Sequence, residues 1–126
     1  MFFQNPDDQA LFTQLGLLNQ VDSVVVNGSG VDLNYYCQRP MPINAPVFLM
    51  IARLLGDKGV REYFEAAVNI KARNPQAVFQ LAGWIDESPD SISKVELDDW
   101  IKSGAIDYLG KLADVRPALS QCSVFV

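Results

Sequence analysis

Polar and apolar positions change their rhythm several times along this chain, and each change marks an element. "NPDDQALFTQLGLL" begins with turn residues and then places Leu11, Phe12 and Leu15 at helical spacing. Asp7 is the expected N-cap of that helix and Gly16 its stop. "SVVVN", Ser23 to Asn27, is short and β-branched and runs into "GSG", the pattern of a strand ending in a turn. From Leu33 to Pro46 the rhythm disappears and three prolines intervene, which predicts a connector and the chain's domain boundary.

Beyond the connector the pattern becomes regular. "PVFLMIA" is a continuous apolar run, as in a strand buried on both faces of a parallel sheet. Val60, Tyr63, Phe64, Ala67 and Ile70 then form one helical stripe, ended by Asn74–Pro75. "AVFQLAG" reads as a second strand stopped at Gly83. A helix is expected from about Ser91 to Lys102, packing through Val95 and Trp100 and closed by Gly104. "IDYLG" is a third strand. Asp114 can cap a helical turn through "VRPAL", where Pro117 is tolerated because the turn has just begun. "CSVFV" is a fourth strand. The expected parallel strands are Val47–Ala52, Val78–Ala82, Ile106–Leu109 and Ser123–Val126, with helices at Val60–Ala72 and about Ser91–Lys102. This alternation predicts an α/β fold, a Rossmann-like parallel sheet with right-handed crossovers and helices on both faces. Ending on a core strand, the domain reads as an incomplete half of a larger fold, with residues 1–45 closing one domain and 46–126 opening the next. A last strand without a covering helix should leave an apolar edge open to self-association.

Composition narrows the chemistry. A chain of 126 residues, 49% of them apolar, is about one domain long and can bury a core. A net charge of −5 argues against a protein that binds nucleic acid through its phosphates. With no histidine, neither a Ser-His-Asp triad, a Cys-His pair nor a His-bearing metal site can be built from these residues. Cys37 and Cys122 lack CxxC spacing and read as thiols in a reducing cytoplasm. "MFFQNPDD" has no basic n-region, and no apolar run nears the roughly 20 residues of a membrane span. "ELDDW" reads as a solvated helix face rather than a metal cluster.

One feature resists the bland reading. Arg53 lies at the end of the first long strand and Lys58 just before the helix that follows. Helix N-termini carry partial positive charge, so cations there are unfavourable unless an anion joins them. In open α/β sheets ligands bind beyond the carboxyl ends of the strands. Two cations, helix amides and the close backbone approach that Gly59 permits together suit a phosphate or diphosphate. The alternative is that both are solvated loop charges, with Asp57 pairing locally.

The same stretch, "IARLLGDKGVREYFEAA", resembles the signature that follows the first strand of the C-terminal domain in retaining glycosyltransferases of family 4, which have the GT-B fold. "FQNPDD", "GSGVDLNYY", "FQLAGWID" and "IDYLGKLADVRPALSQCSVFV" resemble the corresponding family stretches in the same order, so the resemblance spans essentially the whole chain. It implies that residues 46–126 form the first half of a donor-binding domain and residues 1–45 the end of the preceding domain with the connector. It further implies that Arg53 and Lys58 contact the diphosphate of a nucleotide-sugar donor. Gly59, Gly83, Gly110 and Lys111 would line the donor site, the loop after Gly83 and the Gly110–Lys111 turn at its nucleoside end. "GSGVDLNYY" resembles the interdomain hinge, with Asp32 capping the next turn and Tyr35 and Tyr36 as packing aromatics.

The family's pair of glutamates spaced Glu-x7-Glu would follow the fourth strand, and its acceptor-side domain would precede this chain. No residue here is therefore assigned a catalytic role. The resemblance implies a parent enzyme of hexosyltransferase type that moves a sugar, with retention, from a donor, expected to be UDP-linked, to a glycan or lipid-linked acceptor. It implies no metal or other cofactor, a cytoplasmic location extending to the inner face of the membrane, and an inactive isolated segment. Two other readings stand beside it: a UDP-sugar epimerase of the same fold, and a non-catalytic nucleotide-binding or interaction module.

Overall fold

The computed structural model describes residues 1–28, 30–43 and 46–126, which fall into two units, Met1–Gln38 and Arg39–Val126. Ser29 of the "GSG" turn and Asn44–Ala45 at the end of the connector lie outside the described residues. In the first unit β1 (Phe2–Phe3) pairs in parallel with β2 (Val24–Val25), and α1 (Pro6–Gln14) connects them. The helix is capped by Asn5, whose Oδ1 accepts the Asp8 N–H at 2.7 Å, rather than by Asp7. The reason is Pro6: its fixed φ and missing N–H suit the first helical position, which pushes the cap one residue back. Asp7 instead joins Asp8 in the first turn, where the helix dipole favours acids. Gly16, at φ +69°, terminates the helix as expected. Phe3 is buried edge-on against Phe12, ring centroids 5.3 Å apart, while Leu11 and Leu15 stay exposed. Asp32 caps its turn through Oδ1, which accepts the Asn34 N–H at 2.8 Å.

The second unit runs β3 (Val47–Arg53), a 3-10 turn (Gly56–Lys58), α2 (Val60–Arg73), β4 (Val78–Trp84), α3 (Lys94–Lys102), β5 (Asp107–Gly110), α4 (Arg116–Gln121) and β6 (Val124–Phe125). All four strands are parallel, in the order β5–β4–β3–β6. β3 and β4 match residue for residue from Val47↔Val78 to Arg53↔Trp84. Both strands run one or two residues beyond their expected ends, because Arg53 and Trp84 still pair after the apolar run has stopped. β6 is short, yet Ser123 N–H donates to Val47 O and Val126 N–H to Leu49 O, so its pairing continues on either side.

Packing follows the predicted stripe on α2 except at Ile70, which is exposed near the end of the helix. Val60, Tyr63 and Ala67 are buried against Met50, Phe79 and Leu81, and Phe48 stacks on Phe79 at 4.5 Å. The Tyr63 hydroxyl lies 3.0 Å from both Phe48 O and Gln80 O, which ties the helix to two neighbouring strands. On α3 the core residues are Leu97 and Trp100, the latter stacked on Phe64 at 4.7 Å. Val95 is 71% exposed, contrary to expectation. Ser93, not Ser91, is the N-cap, its Oγ accepting the Glu96 N–H at 3.1 Å, so the helix starts later than expected. Val95 faces solvent because it lies about 140° round the helix from Trp100. α2 and α3 pack into one core against the sheet, and the right-handed rule for parallel crossovers assigns α4, which returns the chain past β3, to the other face. No helix among the described residues is long and apolar enough to cross a membrane.

Candidate functional site

The sheet order sets the location. The chain steps outward from β3 to β4 to β5, then returns to the far side of β3 as β6. The strand order reverses between β3 and β6, and in open α/β sheets ligands bind beyond the carboxyl ends of the strands at such a point. Arg53 is the last residue of β3, at its carboxyl end. Its side chain is half exposed, with Nη1 3.3 Å from Asp86 Oδ2 on the loop after β4. Lys58 ends the 3-10 turn and lies 3.3 Å from Asp57 Oδ2, also largely in solvent. The local Lys58–Asp57 pair is thus present. Exposed pairs of this kind contribute only about 0–1 kcal/mol, so a multiply charged anion can replace either carboxylate as partner.

Between Lys58 and α2 sits Gly59, at φ +72°, a left-handed conformation that an L side chain would strain. It lets the chain turn from the 3-10 segment directly into α2, whose first amides have no acceptor within the helix. The result is a strand end, a tight turn and a helix N-terminus in succession, carrying a guanidinium and an ammonium.

The turn is strapped to the loop after β4. Leu54 O accepts from Ile92 N–H at 2.8 Å and from Ser91 Oγ at 3.1 Å, and Leu55 bridges Ser91. Gly56 N–H donates to Asp90 O at 2.9 Å and Asp57 N–H to Asp90 Oδ2 at 2.8 Å. The Ser91 hydroxyl also accepts the Asp86 N–H at 3.1 Å, which fixes the residue that pairs with Arg53. Arg61, in the first turn of α2, holds Glu96 of α3 through two contacts of 2.8 and 3.2 Å. That hydrogen-bonded carboxylate pushes the Arg61 pKa up.

A second group forms where β4 meets β5. Trp84 is 41% exposed, and Lys111 Nζ lies 4.8 Å from its ring centroid, a cation–π contact. The Tyr108 hydroxyl donates to Gly83 O at 2.9 Å, and burial pushes its pKa up. At Gly83 an added Cβ would stand 1.9 Å from Ala52 O, so the β3–β4 approach alone requires glycine. Gly110, at φ +71°, turns the chain towards Lys111, with open space where a Cβ would point.

Of the residues singled out from sequence, the structure brings Gly83 and Gly110–Lys111 to one patch through Trp84. It puts Arg53, Lys58 and Gly59 on the connection from β3 to α2. Trp84, Asp86, Asp90 and Ser91 were missed. Only Trp84 carried a signal, as an aromatic directly after a strand-end glycine. Tyr35 and Tyr36 pack edge-on against each other at 5.1 Å and remain exposed. Among the described residues no group of three or more His, Cys, Asp or Glu is placed to hold a metal ion.

No protein-family model matches the chain. Over 81 residues, 64% of its length, it is 41% identical to the N,N'-diacetylbacillosaminyl-diphospho-undecaprenol alpha-1,3-N-acetylgalactosaminyltransferase of Campylobacter jejuni serotype O:2. That stretch is 20% of the Campylobacter protein. Its fold matches part of the pneumococcal O-GlcNAc transferase GtfA, crystallised with UDP and GlcNAc, at a TM-score of 0.65 and 18% identity. The match takes in 98% of this chain and 24% of that one, and at such identity it establishes the fold alone. The chain is similar in sequence and in fold to part of a glycosyltransferase. It spans about a fifth of the length of the curated relative it matches.

Proposed function

We propose that this chain is the part of a retaining glycosyltransferase that grips the donor, a UDP-linked sugar, by its diphosphate. The observation that carries the reading is the position of Arg53, at the carboxyl end of β3 where the sheet order reverses, followed within one turn by Lys58 and the N-terminus of α2. In the transfer step the bond between the anomeric carbon and the diphosphate oxygen breaks, and its electron pair leaves with the diphosphate. An acceptor hydroxyl oxygen forms the new bond and gives up its proton to an oxygen of the departing diphosphate. Negative charge grows on the departing oxygens, and fixed cations stabilise it more than they stabilise the ground state. Arg53 and Lys58 fill that role without a metal ion. Trp84 and Lys111, with Gly83 and Gly110 shaping the backbone around them, border the nucleoside end.

The Campylobacter relative is named for transfer of N-acetylgalactosamine to a sugar on diphospho-undecaprenol. By that likeness the sugar here is an N-acetylhexosamine and the acceptor a lipid-linked or related glycan, handled at the cytoplasmic face of a membrane. Transfer requires donor and acceptor held together. The 126 residues supply donor contacts only, so they bind nucleotide and do not turn over alone.

Isothermal titration of the chain with UDP, ADP, GDP and CDP tests this reading, paired with a transfer assay using UDP-N-acetylgalactosamine and UDP-N-acetylglucosamine. Saturable binding with UDP preferred, and no sugar release by the isolated chain, is the expected result. No heat with any of the four nucleotides would overturn it.

A further inference from the structure

Asp90 stands 32 residues after Lys58 in sequence and is given no contact with the donor above, yet it contacts the turn that carries Lys58 twice. Its backbone oxygen accepts Gly56 N–H at 2.9 Å, and its carboxylate accepts Asp57 N–H at 2.8 Å. The carboxylate also explains the glycine opposite it. A Cβ on Gly56 would lie 2.6 Å from Asp90 Oδ1 and 2.7 Å from Arg61 Nη1. Gly56 is not held by a left-handed φ, unlike Gly59, so a side chain there would be accommodated only by displacing the Asp90 carboxylate and the Arg61 guanidinium. Two further bonds then complete the turn: Lys58 N–H to Leu55 O at 3.2 Å and Gly59 N–H to Gly56 O at 3.0 Å.

We propose that Asp90 is a positioning residue: a carboxylate latch that holds the turn from Gly56 to Gly59 in the shape that presents Lys58 and the start of α2 to a diphosphate. The proposal rests on the donor-binding reading above. Its force comes from the sign of the charge. An exposed carboxylate near an anion site repels the anion through space, so losing Asp90 should tighten binding if it acts by charge alone. A latch has the opposite sign. Without it the turn samples other conformations, and the ligand must spend binding energy to order it.

Three variants separate these effects. Asp90→Asn removes the charge and keeps an acceptor for Asp57 N–H. Asp90→Ala removes both. Gly56→Ala leaves Asp90 in the chain and displaces its carboxylate. Each is titrated with UDP well below its melting temperature, and exchange of the Asp57 amide is followed by NMR. The latch predicts UDP affinity in Asp90→Asn equal to or tighter than wild type, with the Asp57 amide still protected. It predicts about tenfold weaker binding and faster exchange in both Asp90→Ala and Gly56→Ala. Combining the two should cost little more than either alone, because both break the same contact.

Wild-type-like or tighter UDP binding by Asp90→Ala, while wild type binds normally, would overturn the latch and leave the donor-binding reading standing. Equal weakening in Asp90→Asn and Asp90→Ala would overturn it as well, since the conservative change keeps the acceptor. If wild type itself fails to bind UDP, the functional reading falls and takes the latch with it. Should Asp90→Ala not fold, Gly56→Ala and Asp90→Asn still decide the matter.

Discussion

Replacing Gly83 with alanine should be among the most damaging single-methyl changes available in this chain. Gly83 pairs with Ala52 inside the β3–β4 ladder, and an added Cβ would sit 1.9 Å from Ala52 O, where real Cβ atoms keep at least 3.0 Å. The obstacle is backbone rather than a movable side chain, so the strands themselves must part by more than an ångström. Three contacts lie in the path of that shift: the ladder pairing, Leu54 N–H to Trp84 O at 3.0 Å, and Tyr108 OH to Gly83 O at 2.9 Å. Overpacking of this kind costs about 1–3 kcal/mol, and two weakened hydrogen bonds add about 1 kcal/mol each. The expected loss of about 3–5 kcal/mol is a large share of a small domain's stability and corresponds to a drop in Tm of about 15–30 °C. Urea unfolding followed by tryptophan fluorescence measures it, because Trp100 is buried against Phe64 and reports on the core. Gly110→Ala is the control. It meets open space and strains only its left-handed φ, for about 1–2 kcal/mol. A Gly83→Ala loss no larger than that of Gly110→Ala would refute the close-approach argument.

Tyr63→Phe should destabilise the second unit by about 1–2 kcal/mol at neutral pH, because Phe48 O and Gln80 O both lose the hydroxyl. Burial raises the Tyr63 pKa in the folded state, so its contribution is complete below pH ~10 and is lost as pH rises above that value. Urea midpoints at pH 8, 10 and 11 should therefore show wild type and Tyr63→Phe converging as pH rises, and a constant gap would contradict this. Ser93→Ala removes the α3 cap and should cost about 1 kcal/mol by the same assay, and no measurable change would contradict a cap at Ser93. The exposed edge of β6, with Phe125 at 59% and Val124 at 41%, should give concentration-dependent self-association in sedimentation velocity, and a single monomer peak at high concentration would speak against it.

Much of the fold was legible because periodicity reports burial directly. The apolar run at Val47 reads as a strand covered on both faces, where Leu49 and Met50 are buried, and Val60, Tyr63 and Ala67 recur at the spacing of one buried helix face. The start of α3 was harder. Ser91 and Ser93 are both plausible caps two residues apart, and the sequence does not reveal that Ser91 is occupied with Leu54 and Leu55 across the sheet end. Val95 also lies five residues from Trp100, about 140° round the helix, so it cannot share the face that Leu97 and Trp100 bury. Strand order is likewise invisible to periodicity, since nothing local in "CSVFV" states that it returns beside β3. For the site, Arg53 and Lys58 could be singled out because cations before a helix run against its dipole. Asp86 and Asp90 could not, because an acid in a polar loop looks solvated until the loop is seen folded over the turn it holds. The Lys111–Trp84 contact depends on the β4–β5 neighbourhood and joins residues 27 positions apart, which no motif spacing encodes.

The most direct test of the central claim is calorimetric titration of wild type, Arg53→Ala and Lys58→Ala with UDP and, separately, with uridine at modest salt. If the two cations grip a diphosphate, each replacement removes charge-assisted contacts worth about 1.5–3 kcal/mol, a loss of roughly ten- to a hundredfold in UDP affinity. Uridine, which carries no phosphate, should bind all three proteins within about twofold of one another. Equal UDP affinities for wild type and both variants would contradict the account and return Arg53 and Lys58 to ordinary surface charges paired with Asp86 and Asp57.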